Sequence, residues 1–266
     1  MADAFPSDRT PPSAPPRLKR GTASIAYHHT PATVSSLVPT VVFFGGFHSD
    51  MTGTKATTLE AWAQSRGCGF TRFDYQGHGG SSGRFQDGAI GIWLEDALAV
   101  IDRVTQGPLV LVGSSMGGWI MLLAALARRE RIVGLVGVAS APDFTEDLIW
   151  GRMHAAERAE LLHKGTLAQP STSGEDAYPI TLVLIEEARN HLLLRDEIEL
   201  DCPVRLIHGL SDADVPPDLS LRLAQRLRSL DVHVTLVKDG DHRLSRPEDL
   251  ALLCRTIGHL LAQLSP

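Results

Sequence analysis

The fold is decided by one stretch of the chain, LVLVGSSMGGWIMLLAAL at residues 109–126. It begins with an apolar run typical of a buried strand, and after a short Gly/Ser turn it continues as a Leu/Ala-rich run that predicts a helix. The turn contains the pattern G-x-S-x-G with Ser115 at its centre. In this pattern the serine occupies a strained strand-to-helix turn, and the flanking glycines let the two backbones pass closely. We therefore interpret Ser115 as a nucleophile held clear of a sheet.

The same pattern occurs a second time, as GGSSG at residues 79–83 with Ser81 at its centre. A motif this short arises by chance, so its surroundings must decide between the two serines. Ser115 is flanked by an apolar strand and a long helical run, whereas Ser81 lies in a polar, glycine-rich loop. A plain helix N-cap remains the alternative for Ser115, and an ordinary loop serine is the preferred interpretation of Ser81.

Outward from this stretch, short apolar runs alternate with longer amphipathic ones. The predicted strands are 41–45, 69–74, 109–113, 132–139, 204–208 and 232–237, and the predicted helices are 54–66, 90–104, 115–128, 218–230 and 247–263. This alternation indicates an α/β fold with a mostly parallel central sheet and helices on both faces. The 266 residues are sufficient for one such domain, which we expect to span residues 22–266.

Two segments depart from this alternation. Residues 1–21 are rich in proline and predict a disordered N-terminal tail. Between about 141 and 201 there are helix-like stretches without a strand–helix unit, and this insertion follows a central strand, where a short helical lid would sit. We expect its Trp150 and Met153 to contact substrate together with Gly46. The alternatives are a surface excursion without a role, and an apolar stripe that only packs the core of the insertion.

Composition argues against several classes of protein and ligand. The net charge is −6, so we expect no nucleic-acid partner, and no apolar run is long enough for a membrane span. The three cysteines are scattered and lack metal-ligand spacing, so we expect no bound metal and no other cofactor. Their odd, small number also predicts no disulfide framework. The N-terminus lacks the apolar core of a secretory signal, so a cytoplasmic location is expected. The sequence does not indicate an oligomeric state.

A serine nucleophile needs a base, and in an α/β sheet the base lies in a loop after a later strand. The loop at residues 238–245 contains one histidine, His242. His233 lies within a predicted strand and His259 within the last predicted helix, so both are interpreted as structural. We therefore expect His242 to be the base for Ser115.

The base in turn needs a carboxylate that orients it. The loop at residues 209–216 contains two candidates, Asp212 and Asp214. We prefer Asp212 because it starts the turn directly above the preceding strand. Asp241, the neighbour of His242, remains open as an assisting group.

An oxyanion hole needs two N–H donors near the nucleophile. One is the N–H of Met116, which follows the serine at the amino end of the predicted helix. The second comes from a loop after an earlier strand, and FFGGFHSD at residues 43–50 fits, with the N–H of Phe47 directed at the substrate carbonyl. Ordinary turn chemistry is the alternative role of the Gly45–Gly46 pair.

Several segments together resemble one known family. They are GGFHSDMTGTKA (45–56), RFDYQGHGGSSG (72–83), VGSSMGGWIMLLAA (112–125), IEEARNHLLL (185–194), RLIHGLSDADVP (205–216) and KDGDHRLSRPEDL (238–250). Over residues 40 to 262 the chain is similar to the mitochondrial α/β-hydrolases that act as palmitoyl-protein thioesterases and acyl-glucuronide esterases. The N-terminus departs from that family because it lacks the expected mitochondrial presequence, so we expect a bacterial-type relative.

The resemblance implies an α/β-hydrolase fold with Ser115 as nucleophile, His242 as base, Asp212 as acid, and Phe47 and Met116 as oxyanion donors. We expect a serine hydrolase that cleaves carboxylic esters or thioesters through an acyl-enzyme intermediate. Candidate substrates are small-molecule esters and thioesters, S-acylated proteins and acyl glucuronides. The alternatives are a carbon–carbon bond or amide hydrolase on the same triad, and a non-catalytic binding protein on this fold.

Overall fold

The structure, a computed structural model, describes residues 14–33, 38–169 and 178–264, and an eight-stranded sheet forms its centre. In chain order the strands are β1 (Arg17–Arg20), β2 (Ala23–Thr30), β3 (Thr40–Phe44), β4 (Phe70–Phe73), β5 (Leu109–Ser114), β6 (Ile132–Val138), β7 (Thr166–Gln169), β8 (Tyr178–Thr181), β9 (Val204–Gly209) and β10 (Val232–Val237). Across the sheet the order is β1-β2-β4-β3-β5-β6-β9-β10, while β7 and β8 form a separate hairpin. Within the sheet, β2 is antiparallel to β1 and β4, and the other pairs are parallel, which confirms the predicted fold class.

Helices cover both faces of the sheet. In the described ranges they are α1 (Thr54–Ser65), α2 (Ile90–Val104), α3 (Met116–Ala127), α4 (Ala155–Lys164), α5 (Leu182–Ala188), α6 (Asp218–Arg226) and α7 (Pro247–Leu264). Successive strand side chains point to opposite faces. Val41 and Val110 therefore pack with α1 and α7, whereas Val42 and Leu111 pack with α2 and α3. Among the helices described, none is long and apolar enough to cross a bilayer.

The prediction of a disordered tail over residues 1–21 is wrong for its last part. Residues 1–13 lie outside the described residues, but Arg17–Arg20 pairs with β2 as an edge strand. Arg20 extends this contact, since its Nε donates to Asp96 of α2 at 2.7 Å. Sheet pairing and this ion pair supply the stabilisation that a proline-rich, mostly polar segment cannot provide by burying apolar area.

Two further elements differ from the sequence expectation. The helix expected over 218–230 ends at Arg226, because Leu227 turns into extended backbone and pairs with Ile198. The segment between β6 and β9 contains the short antiparallel hairpin β7–β8 besides helical turns. The first difference arises from pairing between segments that are distant in the chain, whereas the hairpin joins two neighbouring strands.

Candidate active site

Ser115 lies at the tight turn between β5 and α3. Its φ is 54° and its ψ is −122°, a backbone conformation that residues with side chains rarely adopt. The Ser115 N–H donates to the carbonyl of Val138 at 2.9 Å, and its own carbonyl accepts from the Ala141 N–H at 3.0 Å. A Cβ on Gly117 would lie 2.2 Å from the carbonyl oxygen of Phe44, so only glycine lets α3 pass this close to β3. The surrounding backbone thus holds the serine in its strained position.

A chain of hydrogen bonds leads from this serine into the protein. The Nε2 atom of His242 lies 3.0 Å from Ser115 Oγ, and its Nδ1 atom lies 2.8 Å from Asp212 Oδ2. The Asp212 carboxylate is fully buried, whereas 22% of the His242 side chain is exposed. An ionised carboxylate only accepts hydrogen bonds, so Nδ1 donates and Nε2 is left to accept from the serine hydroxyl. The imidazole is therefore placed to take the serine proton.

The loops that carry Asp212 and His242 meet because they follow neighbouring strands, β9 and β10. Ser211 N–H donates to the carbonyl of Gly240 at 2.9 Å and joins the two loops. A Cβ on Gly209 would lie 2.1 Å from the same carbonyl oxygen. A side chain at Gly209 would push the loops apart and separate the acid from the base.

A second histidine, His208 at the end of β9, also holds Asp212. Its side chain is fully buried, and its Nε2 atom lies 3.1 Å from Asp212 Oδ2 and 3.0 Å from the carbonyl oxygen of Val215. Both partners are acceptors, so Nε2 carries the proton, and in the neutral ring Nδ1 accepts from the Ser220 hydroxyl at 2.7 Å. No sequence motif singled out His208. The available signal was a histidine at the end of a predicted strand, four residues before the candidate acid.

The environment of Asp212 favours its ionised form. Burial raises the pKa of Asp212, but hydrogen bonds from His208 and His242, the charge of His242 and the N–H of Val215 together bring it well below its ordinary value. Asp214, the competing candidate, lines the cavity in front of the serine and donates its backbone N–H to Asp212 Oδ1 at 2.9 Å. The structure therefore joins Asp212 to the histidine, as expected.

Asp212, Asp214 and His242 also form a cluster of side chains that could ligate a metal ion. Donor atoms of Asp212, Asp214 and His242 all lie within 4.8 Å of one another. Asp212 and His242 already bond each other in the chain that leads to Ser115. A cation at this position would have to break that chain.

The expected oxyanion donors lie beside Ser115. A Cβ on Gly46 would lie 3.5 Å from Ser115 Cβ, so the backbone that leads into Phe47 passes directly next to the serine. Met116 is the first residue of α3, where the N–H has no partner inside the helix. Neither the Phe47 N–H nor the Met116 N–H donates to another backbone group of the described residues. The ring of Phe47 packs edge-on against the ring of Phe85, with the ring centroids 4.8 Å apart. This contact anchors the residue whose N–H is the first expected donor.

Ser115 and His242 open into a cavity of about 660 Å³. Pockets for small organic ligands span roughly 300–1,000 Å³, so this one is large enough for a substrate. Its apolar lining includes Phe47, Met116, Phe144, Leu148, Ile149 and Tyr178. Its polar lining includes Ser49, Asp50, Lys55, Arg152, Arg243 and Ser245. The lining therefore offers a bound molecule both apolar surface and polar or charged groups.

Trp150 and Met153, the substrate contacts expected from the insertion, are not among the residues that line this cavity. The ring of Trp150 lies under two guanidinium groups of the insertion, 5.3 Å from Arg158 and 5.1 Å from Arg189. Cation–π contacts of this kind hold the indole within the insertion. Gly46, the third expected contact, does line the cavity.

Leu148 and Ile149 occupy the position expected of Trp150. They end a π-helical turn at Thr145–Ile149, which a 3₁₀ turn at Trp150–Arg152 follows directly. Neither turn has the residue spacing of an α-helix. A prediction based on α-helical periodicity therefore selects side chains that do not face the cavity. An ion pair of 2.9 Å between Asp147 and Arg222 of α6 fixes this part of the insertion against the core.

Ser81, the second serine in a G-x-S-x-G pattern, has a different environment. Its Oγ accepts from the N–H of Ala26 at 2.8 Å and donates to the carbonyl of Asp74 at 2.6 Å. Both bonds tie the loop after β4 to β2. The geometry agrees with the interpretation of Ser81 as a loop serine.

Known proteins resemble this chain in sequence and in structure. The Hydrolase_4 family, described as serine aminopeptidase, S33, matches residues 36–178. Mitochondrial palmitoyl-protein thioesterase ABHD10 of Bos taurus is 42% identical over 228 residues, which cover 85% of this chain and 74% of that protein. The alpha/beta hydrolase domain-containing protein 10 from mouse superposes with a TM-score of 0.87 at 38% identity, covering 94% of this chain and 99% of that chain. A protein of Agrobacterium vitis S4 described as a hydrolase has a TM-score of 0.88 at 41% identity, with 92% and 97% covered.

These relatives correct the expected location and show which family the chain belongs to. The curated relatives are named as mitochondrial, which contradicts the cytoplasmic location expected from the sequence. The family profile spans more than half of the chain, and the relatives resemble it over most of its length. The chain therefore belongs to the α/β-hydrolase family, as a hydrolase of the ABHD10 type.

Proposed function

We propose that this chain hydrolyses carboxylic esters or thioesters through an acyl-enzyme formed on Ser115. The observation that supports this most is the hydrogen-bond chain from Ser115 through His242 to Asp212 at a cavity of substrate size. By its family the chain is an ester or thioester hydrolase. Its relatives named palmitoyl-protein thioesterases favour S-acyl thioesters as substrates. Acyl glucuronides, which the sequence resemblance implies, are a further candidate class.

Acylation begins when His242 Nε2 takes the proton of Ser115 as Oγ attacks the carbonyl carbon. Asp212, whose pKa is held low, stays ionised and stabilises the imidazolium that forms. The tetrahedral oxyanion accepts hydrogen bonds from the N–H groups of Phe47 and Met116. His242 then gives its proton to the departing alcohol or thiol, and the acyl group remains on the serine.

Deacylation repeats these steps with water in place of the leaving group. His242 takes a proton from water, the hydroxide oxygen attacks the acyl carbonyl, and the proton returns to Ser115 Oγ as the acid departs. The same two N–H groups stabilise the second oxyanion. Every proton moves through one imidazole, so the proposed cycle uses no metal or cofactor.

The insertion supplies the acyl side of the proposed site. Leu148 and Ile149 reach the cavity from the insertion, and Phe144 lies just before them. An apolar acyl chain placed against them would be removed from water, which favours binding by about 25 cal/mol per Å² of buried apolar surface. The insertion thus acts as a lid over the acyl chain in this proposal.

Labelling with a fluorophosphonate probe tests the proposed function directly. The wild-type protein should react at Ser115, a Ser115→Ala variant should not, and a Ser81→Ala variant is the matched control that should still react. Peptide mapping of the labelled protein identifies the modified serine. A folded wild-type protein that does not react would favour the non-catalytic binding alternative.

A substrate panel then tests the reaction class. It compares p-nitrophenyl esters, palmitoyl-CoA, an S-palmitoyl peptide and an acyl glucuronide with an anilide of the same acyl group. We expect turnover of the esters and thioesters and little of the anilide. Preferred cleavage of the anilide would contradict the proposal in favour of an amide hydrolase.

A further inference from the structure

Lys55 links α1 to the loop that carries the proposed base. It is the second residue of α1, and it lines the same cavity as Ser115. Its Nζ donates to the carbonyl oxygen of Arg243, the residue directly after His242, and lies 3.3 Å from Ser245 Oγ. One side chain therefore joins two segments that are 188 residues apart.

The two contacts of Lys55 lie on either side of a strained residue. Leu244 has a φ of 41° and is buried with 2% of its surface exposed. Leucine adopts a positive φ only where its surroundings impose it. Within the loop, the Leu244 N–H donates to Asp241 Oδ1 at 2.8 Å, and this bond accounts for the acid beside His242. From outside the loop, Lys55 holds the flanking residues.

The charges around Lys55 set the strength of this link. Burial lowers the pKa of Lys55 to about 8, while Asp241 and Asp249 favour its charged form and Arg243 opposes it. Near neutral pH the side chain is an ammonium, whose hydrogen bonds are stronger than those of a neutral amine. A cation is costly to remove from water, so its two acceptors are what keep it in place.

We propose that Lys55 is a positioning residue for His242, because it holds the loop at residues 241–245 in the strained shape that keeps Nε2 within hydrogen-bond distance of Ser115. The inference rests on the proposed function, in which His242 is the base for Ser115. It assigns no contact with substrate to Lys55.

Three substitutions test this role with a p-nitrophenyl ester as substrate. Lys55→Met removes the donors but keeps the apolar stem, and kcat should fall by about 10- to 100-fold with KM nearly unchanged, because geometry rather than binding is lost. Lys55→Arg keeps a charged donor and should restore most of kcat. Lys19→Met, at an exposed lysine on the distant edge strand β1, is the matched control and should leave both constants unchanged.

The pH dependence supplies a readout that a merely structural role would not move. Wild-type kcat should decline as the pH rises through about 8, where Lys55 loses its charge. Lys55→Arg should remove this alkaline decline, since a guanidinium stays protonated there. The charged groups that face Lys55 are Asp241, Arg243 and Asp249.

Unchanged kcat in Lys55→Met, a loss confined to KM, or an alkaline decline that Lys55→Arg retains would each overturn the inference. If Lys55→Met does not fold, Ser245→Ala replaces it, since that change removes one acceptor and should lower kcat by a smaller factor in the same direction. Fluorophosphonate labelling separates the two proposals. A wild-type protein unlabelled at Ser115 sinks the proposed function, whereas equal labelling rates for wild type and Lys55→Met sink only the role of Lys55.

Discussion

The Nε2 atom of His208 lies 3.1 Å from Asp212 Oδ2, the same oxygen that His242 Nδ1 approaches at 2.8 Å. One buried carboxylate oxygen is therefore held by two imidazoles, one inside β9 and one in the loop after β10. The contact with His208 and the contact with His242 together fix the direction of the carboxylate. The Asp212 carboxylate is therefore anchored to the protein interior through His208 as well as bonded to His242.

His208→Phe should lower kcat about tenfold or more while KM changes little. Phenylalanine keeps an aromatic ring at this position but leaves Asp212 without one of its donors, so the carboxylate loses its fixed direction. His208→Gln is the matched control, because its amide N–H₂ can donate to the carboxylate and should recover part of the loss. Steady-state kinetics on one ester measure both, and equal activity of His208→Phe and wild type would refute the role.

Ser115→Ala should reduce ester hydrolysis by about 10⁴-fold or more, since it removes the attacking oxygen. Ser81→Ala should leave kcat per folded molecule intact, but it deprives the N–H of Ala26 of its acceptor and should cost about 1–3 kcal/mol of unfolding free energy. Kinetics and urea unfolding measure the two effects. An active Ser115→Ala protein, or a folded and inactive Ser81→Ala protein, would contradict the assignment.

Asp212→Asn should lower kcat by about 10⁴-fold, because an amide favours the wrong tautomer of His242. Asp214→Asn is the comparison and should cost far less. Burial opposes ionisation of Asp212, but its hydrogen bonds lower the pKa in the folded state, so its ionised form stabilises the fold above the ordinary pKa of about 4. That stabilisation is lost as the pH falls below this value, so the difference in Tm between wild type and Asp212→Asn should narrow from pH 7 to pH 3. Equal kinetic losses at the two aspartates would rule out the choice of acid.

Leu148→Ala should weaken transition-state binding of long acyl chains by about 1–3 kcal/mol and leave acetyl esters nearly unaffected. Leu148 lines the cavity, so its loss removes contact with the acyl chain in ground and transition states alike and mainly raises KM. Trp150→Ala is the matched control: the indole packs within the insertion, so no dependence on chain length is expected. An acetyl-to-palmitoyl ester series measures this, and a chain-length effect confined to Trp150→Ala would restore the original assignment.

The sequence by itself determined the features whose causes are local. The strained turn at Ser115 needs only a strand, a Gly/Ser turn and a helix within one short stretch, and all three are visible in residues 109–126. The strand expected at 232–237 is Val232–Val237 in the structure, because a valine-rich run between turns favours extended backbone before its partner strand is known. Loop positions after later strands were enough to select Asp212 and His242 as the candidate acid and base.

Only the tertiary structure decided which distant segments touch. Arg17–Arg20 is a strand because β2 lies beside it, although its own residues favour a tail. Leu148 rather than Trp150 reaches the cavity because the insertion turns through π and 3₁₀ geometry against α6. His208 contacts Asp212 and Ser220 in the loop and helix that follow its strand, and Lys55 of α1 contacts the loop after β10. Such contacts depend on how whole helices, strands and loops pack against one another. The residue pattern of one segment does not specify which other segment packs against it.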